Sequence, residues 1–362
     1  MLFNKELSKI KPYQPGKPIE EVRRILRLKE VYKLASNEIP FVPTYIKNSI
    51  LKELKNINRY PQSDCFYLRK IVAKKFNILP EQIIFGNGSD EIITLCVRAF
   101  INRGDEVIVA YPTFLIYEIQ AKIGGARIVQ VPLKNFKYDL NGMLNKITSR
   151  TKIIFIANPD NPTGTYVNEE EVSNFLKKIG NNILVFFDEA YSEFAPQDFP
   201  NTSQFLKKKS NIIFTRTFSK IYGLAGLRIG YGITSKKIAF ILNKVREPFN
   251  VNRFAQIAAI EALKNNAFLK KVLSYIKKEK NYLYEQLKIL NINFIESATN
   301  FVLINLKDAK SFSNYLLKKG IIVRELSSWG LRGFIRVTVG KHKENRLFIE
   351  HLKNYLARFE GG

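Results

Sequence analysis

Between residues 80 and 235 the chain repeats one pattern: a short apolar run, turn residues, then a helical period. This is the signature of a sheet of mostly parallel strands covered by helices. The runs are EVIVA at 106–110, ARIVQV at 126–131, KIIFIA at 152–157, ILVFFD at 183–188, NIIFTRT at 211–217 and LRIGYGI at 227–233. Several are apolar at every position, as central strands buried on both faces must be. The stretches 114–123 and 168–179 read as covering helices, opened by turns containing Pro112, Gly164 and Asn168.

The pattern changes after residue 235. A Lys, Glu and Leu-rich helical region runs to about 290, with a break expected near Asn265 and Asn266. INFI, NFVLIN, IIVRE and FIRVTV, with a helix near 309–319 and a closing amphipathic helix, read as a small α+β unit with an antiparallel sheet. At 362 residues the chain exceeds the size at which one core stops growing. The expected division is an N-terminal arm with part of a small domain at 1–45, a large α/β domain at 46–250, and a linking helix plus small α+β domain at 251–362. No apolar run approaches the ~18 residues needed to span a bilayer, and the first residues lack the apolar core of a secretory signal. A cytoplasmic protein with no membrane partner is the expectation.

The residue inventory narrows the chemistry. His342 and His351 are the only histidines, both in the closing helix, so a Ser-His-Asp triad or a histidine zinc site has little to draw on. Cys65 and Cys96 are the only cysteines and read as reduced packing residues; no metal is expected. The net charge of +26 invites a nucleic-acid reading. The lysines, however, are spread in pairs such as Lys177 with Lys178 and Lys270 with Lys271, and no reading motif accompanies them. A solvated basic surface that steers anions, with no nucleic-acid partner, is the reading.

Ligands of parallel sheets bind beyond the carboxyl ends of strands, where the informative residues collect. IIFGNGSDE at 83–91 turns through Gly88 into a helix at Ser89 and Asp90, an arrangement suited to a phosphate. NPDNPTG at 158–164 presents Asn161, or forms only a structural Asx turn. Asp188 closes an apolar run, so its charge needs a cationic partner, from the protein or from a protonated ring nitrogen on a ligand. Lys220 follows another strand among hydroxyls and glycines, where desolvation favours the neutral, nucleophilic amine. Arg228 stands where it could hold a phosphate together with Ser219.

These segments, with PYQPGKPIEEV at 12–22, KLASNE at 33–38, RYP at 59–61, GDEVIVAYPTF at 104–114, DEAY at 188–191, SKIYGLAGLRIG at 219–230, NFVLI at 300–304 and IRVTVG at 335–340, resemble the fold type I aminotransferases that use pyridoxal 5′-phosphate, and within them the histidinol-phosphate aminotransferases. The resemblance covers nearly the whole chain. It implies that Lys220 binds the cofactor as a Schiff base, that Asp188 holds the pyridinium proton, and that Asn161 and Tyr191 bond the ring's phenolic oxygen. Phe114 would stack on the ring. Ser219, Arg228 and the backbone around Gly88, Ser89 and Asp90 would grip the phosphate, joined by Tyr60 from the second subunit of a homodimer. Arg336 would take the α-carboxylate of glutamate or 2-oxoglutarate, with Tyr13, Asn37 and Arg324 meeting a phosphorylated amine. Threonine-phosphate decarboxylases and aromatic or aspartate-type aminotransferases share the cofactor residues and form the alternative. NEIPFVP at 37–43 departs from the family's usual NENP followed by glycine and proline, and Phe114 stands where many relatives carry tyrosine.

Overall fold

The computed structural model describes residues 7, 8 and 10–357; the outermost parts of the expected arm and of the expected C-terminal unit, residues 1–6, 9 and 358–362, lie outside the described residues. Twelve strands are described: β1 Tyr32–Leu34, β2 Ile83–Gly86, β3 Glu106–Tyr111, β4 Arg127–Pro132, β5 Thr151–Ala157, β6 Leu184–Asp188, β7 Ile212–Thr217, β8 Gly230–Thr234, β9 Phe294–Ile295, β10 Phe301–Asn305, β11 Ile321–Glu325 and β12 Phe334–Thr338. They form two sheets, ordered β2-β8-β7-β6-β5-β3-β4 and β1-β11-β12-β10-β9.

In the larger sheet every strand except β8 runs in the same sense; β8 is antiparallel to both β7 and β2. The run 227–233 is therefore a shorter strand than expected. Leu227 ends a 3₁₀ turn, and β8 starts at Gly230. The chain returns from β7 through a loop with no crossover helix, and a parallel neighbour needs such a crossover. β6 and β8 are buried at every position and β5 at all but Lys152, which explains their uninterrupted apolar or small-residue character. The covering helices begin where capping residues stop the backbone from fraying. Asn168 accepts from the Glu171 N–H while the Glu171 carboxylate accepts from the Asn168 N–H, opening Glu169–Lys178.

The region 236–289 forms three helices, Lys236–Val245, Arg253–Lys264 and Asn266–Ile289. The break at Asn265 is as expected, its side chain accepting from the Phe268 N–H at 3.0 Å. A second break, not expected, spans 246–252, where Pro248 ends one helix and Asn252 caps the next through the Ala255 N–H at 2.8 Å. In the smaller sheet β9, β10, β12 and β11 are antiparallel, and β1 from the N-terminal arm adds a parallel edge against β11. Cys65 and Cys96 are both buried thiols. Among the described residues no helix is long and apolar enough to cross a membrane.

Candidate active site

The carboxyl ends of β5, β6 and β7, the start of helix Ser89–Phe100, the arm after β1 and the facing strands β11 and β12 enclose a cavity of about 440 Å³. Tyr13, Asn37, Ser89, Asp90, Phe114, Asn161, Asp188, Tyr191, Ser219, Lys220, Arg228, Arg324 and Arg336 all line it. Gly88 does not line it but packs against Arg228, which does. Tyr60 does not reach it. Its ring is 78% exposed and stacks on Phe249 at 4.7 Å, beside a separate surface recess.

After β5 the turn is pinned from below. Asn158 donates to the Val167 carbonyl at 3.0 Å, and Asp160 accepts from Thr113 and Thr163 hydroxyls, each at 2.8 Å. Asn158 and Asp160 thus carry the Asx-turn role, and Asn161 is left facing the cavity. Asp188 ends β6 and accepts from the Tyr117 hydroxyl at 2.7 Å and from the Ala190 N–H at 3.2 Å. Both donors are neutral. Burial pushes this carboxyl up to about 6, because nothing cationic among its described partners offsets the lost water.

Beyond β7 the chain folds tightly on itself, with Gly223 N–H on the Lys220 carbonyl at 2.9 Å and Leu224 N–H on the Phe218 carbonyl at 3.0 Å. This places the Lys220 amine on the Ser36 carbonyl at 3.0 Å, 5.7 Å from the centre of the Tyr191 ring. Burial, reinforced by the Arg336 charge, lowers the amine to about 8. A substantial neutral fraction near physiological pH makes it a nucleophile for an aldehyde and a base for a carbon acid.

Gly88, at φ +83°, sets the entry of helix Ser89–Phe100, whose first N–H groups have no side-chain cap. A Cβ at Gly88 would stand 2.6 Å from Arg228 Nη2. Arg228 itself donates to Ser219 Oγ at 3.3 Å and lies 3.7 Å from Asp90. A helix N-terminus, a hydroxyl and a guanidinium therefore converge, which is an anion cradle.

Asn37, in the left-handed region at φ +57°, ties the arm to both sheets. Its N–H donates to the Thr338 hydroxyl at 2.9 Å, its amide donates to the Tyr191 hydroxyl at 2.8 Å, and its carbonyl accepts from Asn300 at 3.0 Å. Tyr191 is pushed up to about 12 by burial, so it keeps its own O–H as a donor toward the cavity. Arg336 on β12 donates to Asn161 Oδ1 and to the Ala35 carbonyl at 2.6 Å, while its Nε is buried without a partner. Residues of this architecture that escaped the sequence reading include Tyr117, which binds Asp188, and Thr338, which binds Asn37. Tyr117 had a usable signal, since it stands three residues after Phe114 on the same helical face.

Fold and cavity together define a pyridoxal-phosphate-type transferase, and residues 29–352 match the aminotransferase class I and II family, to which the chain belongs. Within it, the chain is 44% identical to the histidinol-phosphate aminotransferase of Moorella thermoacetica, over 96% of this chain and 91% of that one. It is also 44% identical to that of Caldicellulosiruptor saccharolyticus, over 98% and 100%. The solved histidinol-phosphate aminotransferase of Sinorhizobium meliloti in complex with pyridoxal-5′-phosphate superposes with a TM-score of 0.89 at 27% identity, covering 98% of each chain. The chain is a member of the histidinol-phosphate aminotransferase family.

Proposed function

We propose that this chain transfers an amino group between L-histidinol phosphate and 2-oxoglutarate, giving imidazole-acetol phosphate and glutamate, as a step of histidine biosynthesis in the cytoplasm. The observation that carries the reading is one cavity holding a Lys220 amine lowered to about 8 opposite an Asp188 carboxylate with no cationic partner among those described. The cavity fits pyridoxal 5′-phosphate. Asp188 supplies an anion for a protonated ring nitrogen, and the backbone N–H groups of Ser89 and Asp90, the Ser219 hydroxyl and the Arg228 guanidinium supply the donors that a phosphate needs. Bound there, the cofactor supplies an electron sink for the charge left when a substrate C–H is broken.

The residues divide the remaining work. Asn161 and Tyr191 offer hydrogen bonds to the ring oxygen, and Phe114 offers a face for stacking. The Lys220 amine would take up and return the proton at the substrate carbon. Arg336 offers its guanidinium to an α-carboxylate, and Tyr13, Asn37 and Arg324 line the same cavity and would meet the phosphorylated amine. Incubation with L-histidinol phosphate and 2-oxoglutarate should form glutamate. No glutamate, with carbon dioxide released from threonine phosphate instead, would move the chain to a decarboxylase reading.

A homodimer completes the site in this proposal. Tyr60, Ile57 and Tyr67 are exposed by 78%, 68% and 62%, an apolar surface that suits contact with a second copy. Tyr60 would then reach the partner's cofactor phosphate. Removing that one hydroxyl in Tyr60→Phe should weaken cofactor retention by about tenfold, the scale of one hydrogen bond to a charged group. Equilibrium dialysis measures this, with sedimentation showing an unchanged dimer; unaltered retention would place Tyr60 elsewhere.

A further inference from the structure

Arg324 and Arg336 stand directly opposite each other across β11 and β12, and both face the same cavity. Like charges at opposed positions of an antiparallel pair repel. The described partners of both guanidiniums are uncharged: the Gln14 carbonyl at 2.6 Å for Arg324, and the Ala35 carbonyl and Asn161 amide oxygen for Arg336. Each also has a buried Nε without a partner among the described residues. Aromatic faces take the place of carboxylates. Arg324 lies over the Trp329 ring at 5.6 Å and the Tyr13 ring at 5.7 Å. Arg336 lies over the Trp329 ring at 5.8 Å and the Phe301 ring at 5.2 Å. Among the described residues Trp329 is the one ring common to both.

The indole is held firmly. Its turn is closed by Trp329 N–H on the Leu326 carbonyl at 2.9 Å and Leu331 N–H on the same carbonyl at 3.1 Å. Gly330, at φ +87°, lets the backbone pass close to the Tyr111 hydroxyl. The side chain is 1% exposed, packed with Leu303, Leu326 and Leu331, and 6.3 Å from the Phe114 ring.

We propose that Trp329 is a positioning residue: its ring quadrupole attracts both guanidiniums, offsets their mutual repulsion without neutralising either, and fixes them as a paired receptor for substrates with two anionic groups. A carboxylate at position 329 would hold the arginines equally well but consume the charge that substrate needs. An aliphatic residue would fill the space without restraining them. The inference rests on the transaminase reading for its kinetic arm, but its first readout needs no turnover.

Trp329 is the only tryptophan of the chain, so indole emission reports this position alone. Titration of the holoenzyme with glutarate, a dicarboxylate with no reactive amine or ketone, should change that emission saturably. Pentanoate, with one carboxylate, should require at least about tenfold more. In steady state, Trp329→Phe, which keeps an aromatic face, should hold the KM for glutamate within about threefold, whereas Trp329→Leu, nearer to phenylalanine in bulk but without a ring, should raise it about tenfold to a hundredfold with kcat little changed. Equal KM values for the two variants, or a fall in kcat alone, would overturn the proposal by reducing Trp329 to packing. Should Trp329→Leu not fold, wild-type emission decides: no change at glutarate concentrations that competitively inhibit the enzyme also overturns it. A wild type that forms no glutamate, yet responds to glutarate, would sink the reaction assignment and leave the paired receptor standing.

Discussion

Lys220→Ala is expected to lower transamination by at least about 10⁴-fold, the upper range of what one positioned acid-base group contributes, while the protein without cofactor stays folded. In the proposed reaction two functions depend on one amine: the covalent hold on the cofactor aldehyde and the proton transfer at the substrate carbon. Among the described residues no other lysine of the cavity is placed to inherit both. Lys33 also lines the cavity, but it is paired with Glu38 at 2.9 Å. The stability consequence has a definite sign. The folded amine titrates at about 8 against 10.5 when exposed, so between these values the unfolded chain binds more protons and stability rises with pH. The penalty is complete below about 8. Lys220→Met, which keeps the stem and deletes the charge, should therefore unfold at higher temperature than the wild type at pH 7, with the gap closing toward pH 10. Calorimetry of the cofactor-free forms measures this. Turnover retained within about a hundredfold by either variant would remove Lys220 from the centre of the chemistry.

The sheet that positions this lysine was legible because its strands must be buried on both faces, and burial leaves an apolar run with no alternative reading. β5 and β6 are of this kind. β8 was harder, because LRIGYGI has the composition of any strand, and direction depends on whether a helix intervenes. The break at 246–252 was marked by Pro248 and Asn252, but lysine-rich segments on both sides blurred it. For the site, residues at strand ends were readable from position alone: Asp188, Asn161 and Lys220 each follow an apolar run. Residues delivered by tertiary contact were not. Trp329 and Thr338 act on the cavity through its lining, Trp329 beneath Arg324 and Arg336 and Thr338 on the Asn37 N–H, and nothing in their local sequence points toward β6 or β7. Asn37 was visible as a motif residue, but its bond to the Tyr191 hydroxyl, which orients that phenol, was not. The anion cradle shows the same division. Gly88 and Ser89 declare a helix entry, but only the fold brings Arg228 and Ser219 to it from the Lys220 loop.

Asp188→Asn is expected to lower kcat by about 10³-fold, the scale of losing one preorganised electrostatic partner in a water-poor site, and to make the cofactor-free protein more stable at neutral pH. The kinetic effect follows from charge. An amide keeps the shape of the side chain and can still accept from Tyr117, but it cannot hold a proton on a ring nitrogen, so the ring withdraws electrons less strongly. The stability effect follows from the same charge seen without the cofactor. The folded carboxyl titrates at about 6 against an ordinary 3.8, so between these values the folded state binds more protons than the unfolded chain and stability falls as pH rises. Above about 6 the penalty is complete, with an upper bound of about 3 kcal/mol at 1.36 kcal/mol per unit. The variant should thus gain on the wild type at pH 7.5 and match it near pH 4, by thermal unfolding of both cofactor-free proteins. Adding pyridoxal phosphate should reverse the order at pH 7.5, because only the wild type gains the ion pair. If the variant is the less stable form without cofactor, then Asp188 is paired inside the protein, and its carboxylate is not held in reserve for a ligand.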